Sequence, residues 1–197
     1  MRNKGFKSKK SRFMVALKRL KVMPSHEIHK FQLSRATLSR MNVSGEIVSL
    51  GRGIYSHPSI DPFVGAVVAA RLYPDAILSN ITALVIYKLS DERVDKIDID
   101  IDRARSIRND LFNVHRVAKS KRVGVTRLLF HGFRIKIYDK ERTLCEAYRI
   151  DPAGAIFFKA LKRYLKTSSP DIEKISKYDQ ILRTQVLRHL RQEWADA

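Results

Sequence analysis

The spacing of apolar residues changes near Gly45, and that change limits what the first third of the chain can become. Before it, hydrophobic positions recur three or four apart. Phe13, Met14, Leu17 and Leu20 are predicted to line one helix, with Ser11 as its cap. Pro24 and Ser25 break this pattern and restart it. Glu27 suits the positive end of a second short helix that carries Ile28 and Phe31. Ser34 is a natural cap for a third segment, in which Leu38 and Met41 face inward and which Gly45 closes. Beyond Gly45 the period falls to two. Ile47, Val48, Leu50, Ile54 and Tyr55 flank Gly51-Arg52-Gly53, and a tight glycine-flanked turn between short apolar runs signals a β-hairpin. Three short helices followed by a hairpin form the plan of a winged helix-turn-helix, whose second motif helix reads base edges in the major groove.

The remainder reads as mixed α/β. Residues 61–73 form a predicted helix ended by Pro74-Asp75, with Pro58 and Pro62 marking the boundary before it, and Ser79 caps another helix over SNITALVIYKL. The segment Lys96–Asp102 alternates strictly. Ile97, Ile99 and Ile101 fall on one face, and Asp98, Asp100 and Asp102 fall on the other, as in a half-buried strand with a solvent face. Further strands are expected at Phe112–Val117, Val123–Phe130 and Phe133–Tyr138, with Gly132 in the last turn. Asp139 caps a helix over DKERTLCEAYR. Residues 152–166, 171–178 and 179–194 read as helical, with Leu161, Tyr164, Leu165, Ile181, Leu182, Val186, Leu187, Leu190 and Trp194 in the core. The expected class is α+β. A basic disordered arm (1–10) precedes a winged helix-turn-helix (11–58), and a mixed α/β domain with a helical C-terminus (59–197) follows.

Charge narrows the partner. The 39 Lys and Arg residues against 20 Asp and Glu give +19, with an isoelectric point near 10.3, the footprint of a polyanion partner. The excess is uneven. Residues 1–60 carry net +11, 61–110 net −2, 111–150 net +7 and 151–197 net +3. Apolar residues make up 44% of the chain, enough for a core. The longest apolar stretch, Phe63–Ala70, has eight residues, whereas a membrane-spanning helix needs about 20. The basic start MRNKGFKSKKSR is not followed by an apolar segment, so no secretory signal is expected. Cys145 is the sole cysteine, which excludes an internal disulfide and a CxxC metal knuckle. It is expected to be a buried, inert thiol in a reduced, cytoplasmic protein.

The predicted DNA-contacting residues are Ser34, Arg35, Thr37, Ser39 and Arg40 on the third helix and Arg52 at the hairpin tip. Lys9, Lys10 and Arg12, together with Lys7, belong to the basic arm. Short hydroxyls and arginines suit phosphate anchoring, and arginine grips guanine with two hydrogen bonds. A second possibility is enzymatic. Alternate carboxylates at Asp98, Asp100 and Asp102 suit a divalent metal for nucleotidyl transfer. The glycine-free segment upstream lacks the Gly-Ser phosphate loop of that chemistry, and Arg103, Arg105 and Arg108 offer the carboxylates a plain salt-bridge strip. The histidines His26, His29, His57, His115, His131 and His189 are too scattered for a zinc site, so no metal or cofactor is expected. Arg142 is expected to pair with an acid of the sheet. Arg116, Lys119, Lys121, Arg122, Arg127, Arg134 and Lys136 extend the basic surface toward DNA, an RNA or an acidic partner.

Three strings in order carry a family resemblance: Arg52-Gly53-Ile54-Tyr55, Leu78-Ser79-Asn80-Ile81-Thr82-Ala83-Leu84, and Asp139-Lys140-Glu141-Arg142-Thr143-Leu144-Cys145. With this spacing the chain resembles the AbiEi-type antitoxins and transcriptional regulators of type IV toxin–antitoxin systems over most of residues 11–190. Asn80 stands where that family commonly has histidine. The resemblance implies a winged helix that binds inverted repeats of double-stranded operator DNA and represses its own operon. It also implies a C-terminal domain that opposes a nucleotidyltransferase-like toxin without a stable complex.

Overall fold

The computed structural model describes residues 8–59, 63–167 and 170–195. Lys7, Pro62 and the side chain of Trp194 lie outside the described residues, as do residues 1–6 of the expected arm. The fold is mixed α+β, with nine α-helices and two sheets among the described residues.

Helix α1 (Lys9–Leu20) starts earlier than Ser11. Ser8 is its cap and accepts from the Ser11 amide at 3.1 Å. Lys9 and Lys10 therefore belong to a helix, not to a disordered arm. The physical reason is that Ser8 offers the same capping hydroxyl one turn upstream and lysine is a good helix former. Phe13 and Leu17, four apart, are fully buried. A short strand, β1 (Val22–Pro24), follows where the sequence shows only a break. It is an edge strand in the order β1-β3-β2, the position where a proline without an N–H is tolerated. Helix α2 (Ser25–Ile28) runs into a 3-10 turn at His29–Phe31. Helix α3 (Arg35–Val43) has Ser34 as cap, accepting from the Thr37 amide at 3.1 Å. Strands β2 (Val48–Ser49) and β3 (Ile54–Ser56) pair antiparallel around Gly51-Arg52-Gly53. Phe13, Leu17, Met23, Ile28, Leu38, Met41 and Ile47 form the core of this module.

Gly51, Arg52 and Gly53 are all left-handed, with φ of 80°, 49° and 70°. Gly53 also approaches α2. The Ser25 amide and hydroxyl both donate to its carbonyl at 2.7 Å. A Cβ on Gly53 would lie 2.3 Å from Ser25 Oγ, whereas one on Gly51 would meet nothing within 4 Å. Gly53→Ala is therefore expected to lose about 1–3 kcal/mol, from strain plus the displaced Ser25 anchor. Gly51→Ala should lose less, and urea denaturation of the two variants checks the order. Equal losses would remove the Ser25 contact from the explanation.

The second sheet has the order β6-β5-β4-β8-β7, built from β4 (Ile77–Leu78), β5 (Ile97–Asp102), β6 (Phe112–Val117), β7 (Val125–Phe130) and β8 (Phe133–Tyr138). Helix α4 (Val64–Leu72) covers one face, packing Ala66, Val67 and Ala69 with Ile97, Ile99, Ile101, Ile135 and Ile137. Helices α5 (Asn80–Ile86) and α6 (Lys140–Ile150) stand on the other face, over Asp98, Asp100 and Tyr138. The alternating strand is consequently buried on both sides. Asp98 and Asp100 are 8% and 3% exposed, so the expected solvent face is corrected to a covered one.

Helices α7 (Ala155–Thr167), α8 (Ile172–Leu182) and α9 (Val186–Ala195) complete a second core around Leu144, Phe157, Leu161, Tyr164, Ile175 and Leu190. The expected helix break at 178–179 lies instead at Arg183, which adopts φ 58°. Tyr178 stays inside α8, which continues to the left-handed Arg183, and its hydroxyl donates to Asp139 Oδ2 at 2.8 Å. Asp179 starts no helix. Its carboxylate caps α9 from a distance, accepting from the Val186 and Leu187 amides at 3.1 and 2.8 Å.

The two parts share a seam. Arg71 of α4 donates from Nη2 to both Glu27 carboxylate oxygens at 2.9 and 2.8 Å, and from Nη1 to the Val22 carbonyl. Val22 and Ile54 pack into the same cluster as Ala66 and Ile99.

Candidate nucleic-acid interface

Helix α3 turns Leu38 and Met41 inward, at 5% and 2% exposure. Its outward surface then follows from the helical period. Arg35 and Ser39 form one row, four apart, and Ala36, Arg40 and Val43 form the next. All five are exposed. Val43, at 85% exposure, and Ala36 are the residues that sequence reasoning missed. The spacing from Leu38 and Met41 places them on this side. Apolar groups of this size match the methyl of thymine.

The remaining expected contacts divide. Ser34 and Thr37 are close, with hydroxyl oxygens 2.9 Å apart, and Ser34 Oγ also accepts from the Thr37 amide. Their oxygens therefore first serve the helix cap. Asn42 Oδ1 accepts from the Ser49 amide at 2.7 Å and ties α3 to β2. Arg52 is exposed at the tip of the β2–β3 turn. Lys9 and Arg12 are exposed on α1. Lys10 is not free as expected, because its ammonium lies 2.7 Å from both oxygens of Glu46.

That pairing shapes the electrostatics. Glu27 and Glu46 are the only acids in residues 8–59, and Arg71 and Lys10 respectively neutralise them. The Lys10 ammonium holds the Glu46 carboxyl below its ordinary value. His57 is held below the ordinary histidine value by partial burial and by the charges of Lys21 and Lys18. No unpaired carboxylate among the described residues of this module opposes Arg35, Arg40, Arg52, Lys9 and Arg12.

The aspartate strand forms a different kind of cluster. Asp98 Oδ2 accepts from the Thr82 hydroxyl at 3.3 Å, and Oδ1 lies 3.1 Å from His115 Nε2 and 3.3 Å from Asn113 Nδ2. Asp100 Oδ2 accepts from the Tyr138 hydroxyl at 2.8 Å, and burial pushes its carboxyl above the usual range. Asp102 turns back to its own loop and accepts from the Ala104 amide at 2.9 Å. The expected strip with Arg103, Arg105 and Arg108 is corrected, since Arg105 pairs with Asp75 at 2.9 Å. The three carboxylates thus serve separate protein partners. No group of three or more His, Cys, Asp or Glu residues suited to a metal ion occurs among the described residues.

His115 supplies a pH signature. The Asp98 hydrogen bond, acting against partial desolvation, raises it above the ordinary 6.5. A group whose folded value lies above its unfolded value stabilises fully below the latter. That contribution fades as pH rises through the former. Stability relative to His115→Gln is therefore expected to be greatest below 6.5 and to fall above it. Urea midpoints at pH about 5.5 and about 8.5 test this, and a pH-independent difference would refute the linkage.

Two further expectations meet the structure here. Arg142 pairs with Glu146 of its own helix, one turn on, and not with an acid of the sheet. Cys145 is fully buried, and burial, with the Asp179 charge, pushes its thiol up to about 12, which leaves it unreactive. Among the described residues no helix is long and apolar enough to cross a membrane. No protein-family model matches the chain, and no curated protein matches it.

Proposed function

We propose that the chain is a sequence-specific, duplex-DNA-binding antitoxin of a type IV toxin–antitoxin system that represses its own operon. On this reading the N-terminal module is a winged helix-turn-helix, with α3 as recognition helix and the β2–β3 turn as wing. The observation that carries the reading is the surface of α3. It presents Arg35, Ser39, Arg40 and Val43 outward from a module whose two acids are both ion-paired. The strand order β1-β3-β2 and the exposed Arg52 at the turn support it. Arg35 and Arg40 would meet base edges, and Arg52, Lys9 and Arg12 would meet phosphates.

The antitoxin part rests on the ordered strings from Arg52 to Cys145. The toxin it would oppose is nucleotidyltransferase-like, and the C-terminal body would serve that role as a scaffold. Its most polar strand carries carboxylates already bonded to Thr82, His115 and Tyr138, which speaks against a metal-dependent nucleotidyl transfer there.

Gel shifts with the DNA upstream of the gene, at rising salt, test the reading. The expected result is preference for that duplex over random duplex and over RNA, with a steep fall in affinity as salt rises. Equal affinity for random RNA would replace it with general RNA binding.

A further inference from the structure

We propose that the notch beside β4 binds a small organic phosphate ester. Strand β4 meets β8 at a single register position, Leu78 opposite Ile137. The pairing ends there, so β8 from Phe133 to Lys136 has no strand on that side among the described residues. A cavity of about 290 Å³ opens there. Ala70, Tyr73 and Pro74, each at least partly exposed, form its apolar floor, and its rim carries Arg127, Arg134 and Lys136.

The rim is over-supplied with positive charge. Arg127 stands directly opposite Lys136 across the β7–β8 pair, and like charges so placed destabilise a sheet. Arg127 and Arg134 are exposed and have no ion pair among the described residues. Among the described residues the single acid lining the cavity is Asp75. Its carboxylate lies 3.7 Å from Lys136 Nζ and 2.9 Å from Arg105 Nη1, on the side of a second cavity of about 200 Å³. Asp75 is about half exposed, so these pairs are weak and open to competition. An incoming phosphate would relieve the Arg127–Lys136 repulsion that Asp75 relieves only in part, with the guanidinium groups donating to its oxygens.

The floor selects the rest of the ligand. Ala70, Tyr73 and Pro74 leave a partly apolar surface that a bare anion would not use. The volume is at the small end of cavities that hold organic ligands, roughly 300–1,000 Å³. An ester with a compact carbon skeleton satisfies both the rim and the floor.

Calorimetric titration of the full chain tests this with adenosine 5′-monophosphate, glucose 6-phosphate and inorganic phosphate as probes. The expected result is saturable binding of one equivalent of at least one ester, about tenfold or more tighter than inorganic phosphate. The double variant Arg127→Gln/Arg134→Gln should weaken it about tenfold or more, and Asp75→Asn should tighten it. Circular dichroism checks that the double variant, altered only at exposed positions, remains folded. Absence of saturable binding by both esters, equal affinity for inorganic phosphate, or unchanged binding by the folded double variant would overturn the proposal. The variant Arg35→Ala/Arg40→Ala should bind the ester normally. Loss of ester binding there would move the anion site to α3 and also overturn it. A failed gel shift leaves this titration unaffected, so the two readings fail separately.

Discussion

Arg142→Ala is expected to lower folding stability by about 3–5 kcal/mol, the largest single loss in the C-terminal body. Arg142 is fully buried and is one of the largest such side chains among the described residues. Its guanidinium pairs with Glu146, stacks 4.3 Å from the centre of the Tyr138 ring, and donates to the Lys121 carbonyl at 3.3 Å. Truncation opens a cavity beneath α6 and removes the cation over Tyr138. It also leaves the buried Glu146 carboxylate to Arg149 alone, at 3.0 Å from a half-exposed partner. Small domains hold only about 5–15 kcal/mol in total, so the variant would be marginal. Urea unfolding with an unchanged m-value measures the loss. The double variant Arg142→Met/Glu146→Leu should recover much of it, because replacing a buried pair by packed apolar groups avoids the stranded charge. A loss below about 1 kcal/mol would show that Arg142 is solvated or replaceable.

The second large effect is on DNA. Arg35→Ala and Arg40→Ala are each expected to weaken binding to the cognate operator by about 1–3 kcal/mol, roughly five- to 150-fold. Both should also narrow the gap between cognate and random duplex, because a base contact is lost. Arg52→Ala should weaken all sequences alike and reduce the salt slope by about 1, as expected for a phosphate contact. These side chains are exposed, so melting temperatures should stay near wild type. Gel shifts and salt titrations separate the two patterns. Unchanged affinity in all three variants would remove α3 and its turn as the reading surface.

Much of the N-terminal module was legible because local chemistry and tertiary packing agree there. The Ser34 cap, the Leu38–Met41 stripe and the Gly51-Arg52-Gly53 turn all stand where their residue types put them. The misses have common physical causes. Strands β1 and β4 have three and two residues, too few for a period to register, and exist only because β3 and β5 offer them hydrogen bonds. Ser8 and Ser11 are equivalent caps on paper, and only the docked helix shows which one is used.

The proposed interface was half legible for a related reason. Outward positions follow from inward ones, which locates Arg35, Ser39 and Arg40. Which cations remain free depends on partners distant in sequence, as when Glu46 takes up Lys10 from 36 residues away. The sequence by itself determined the helical and alternating periods, the surplus of positive charge and the caps, because each arises within a few neighbouring residues. Tertiary structure alone decided the two-sided burial of the aspartate strand, the pairing of Arg142 with Glu146 and the cationic notch beside β4. Those depend on which elements cover which faces, and long-range packing sets that choice where spacing along the chain does not.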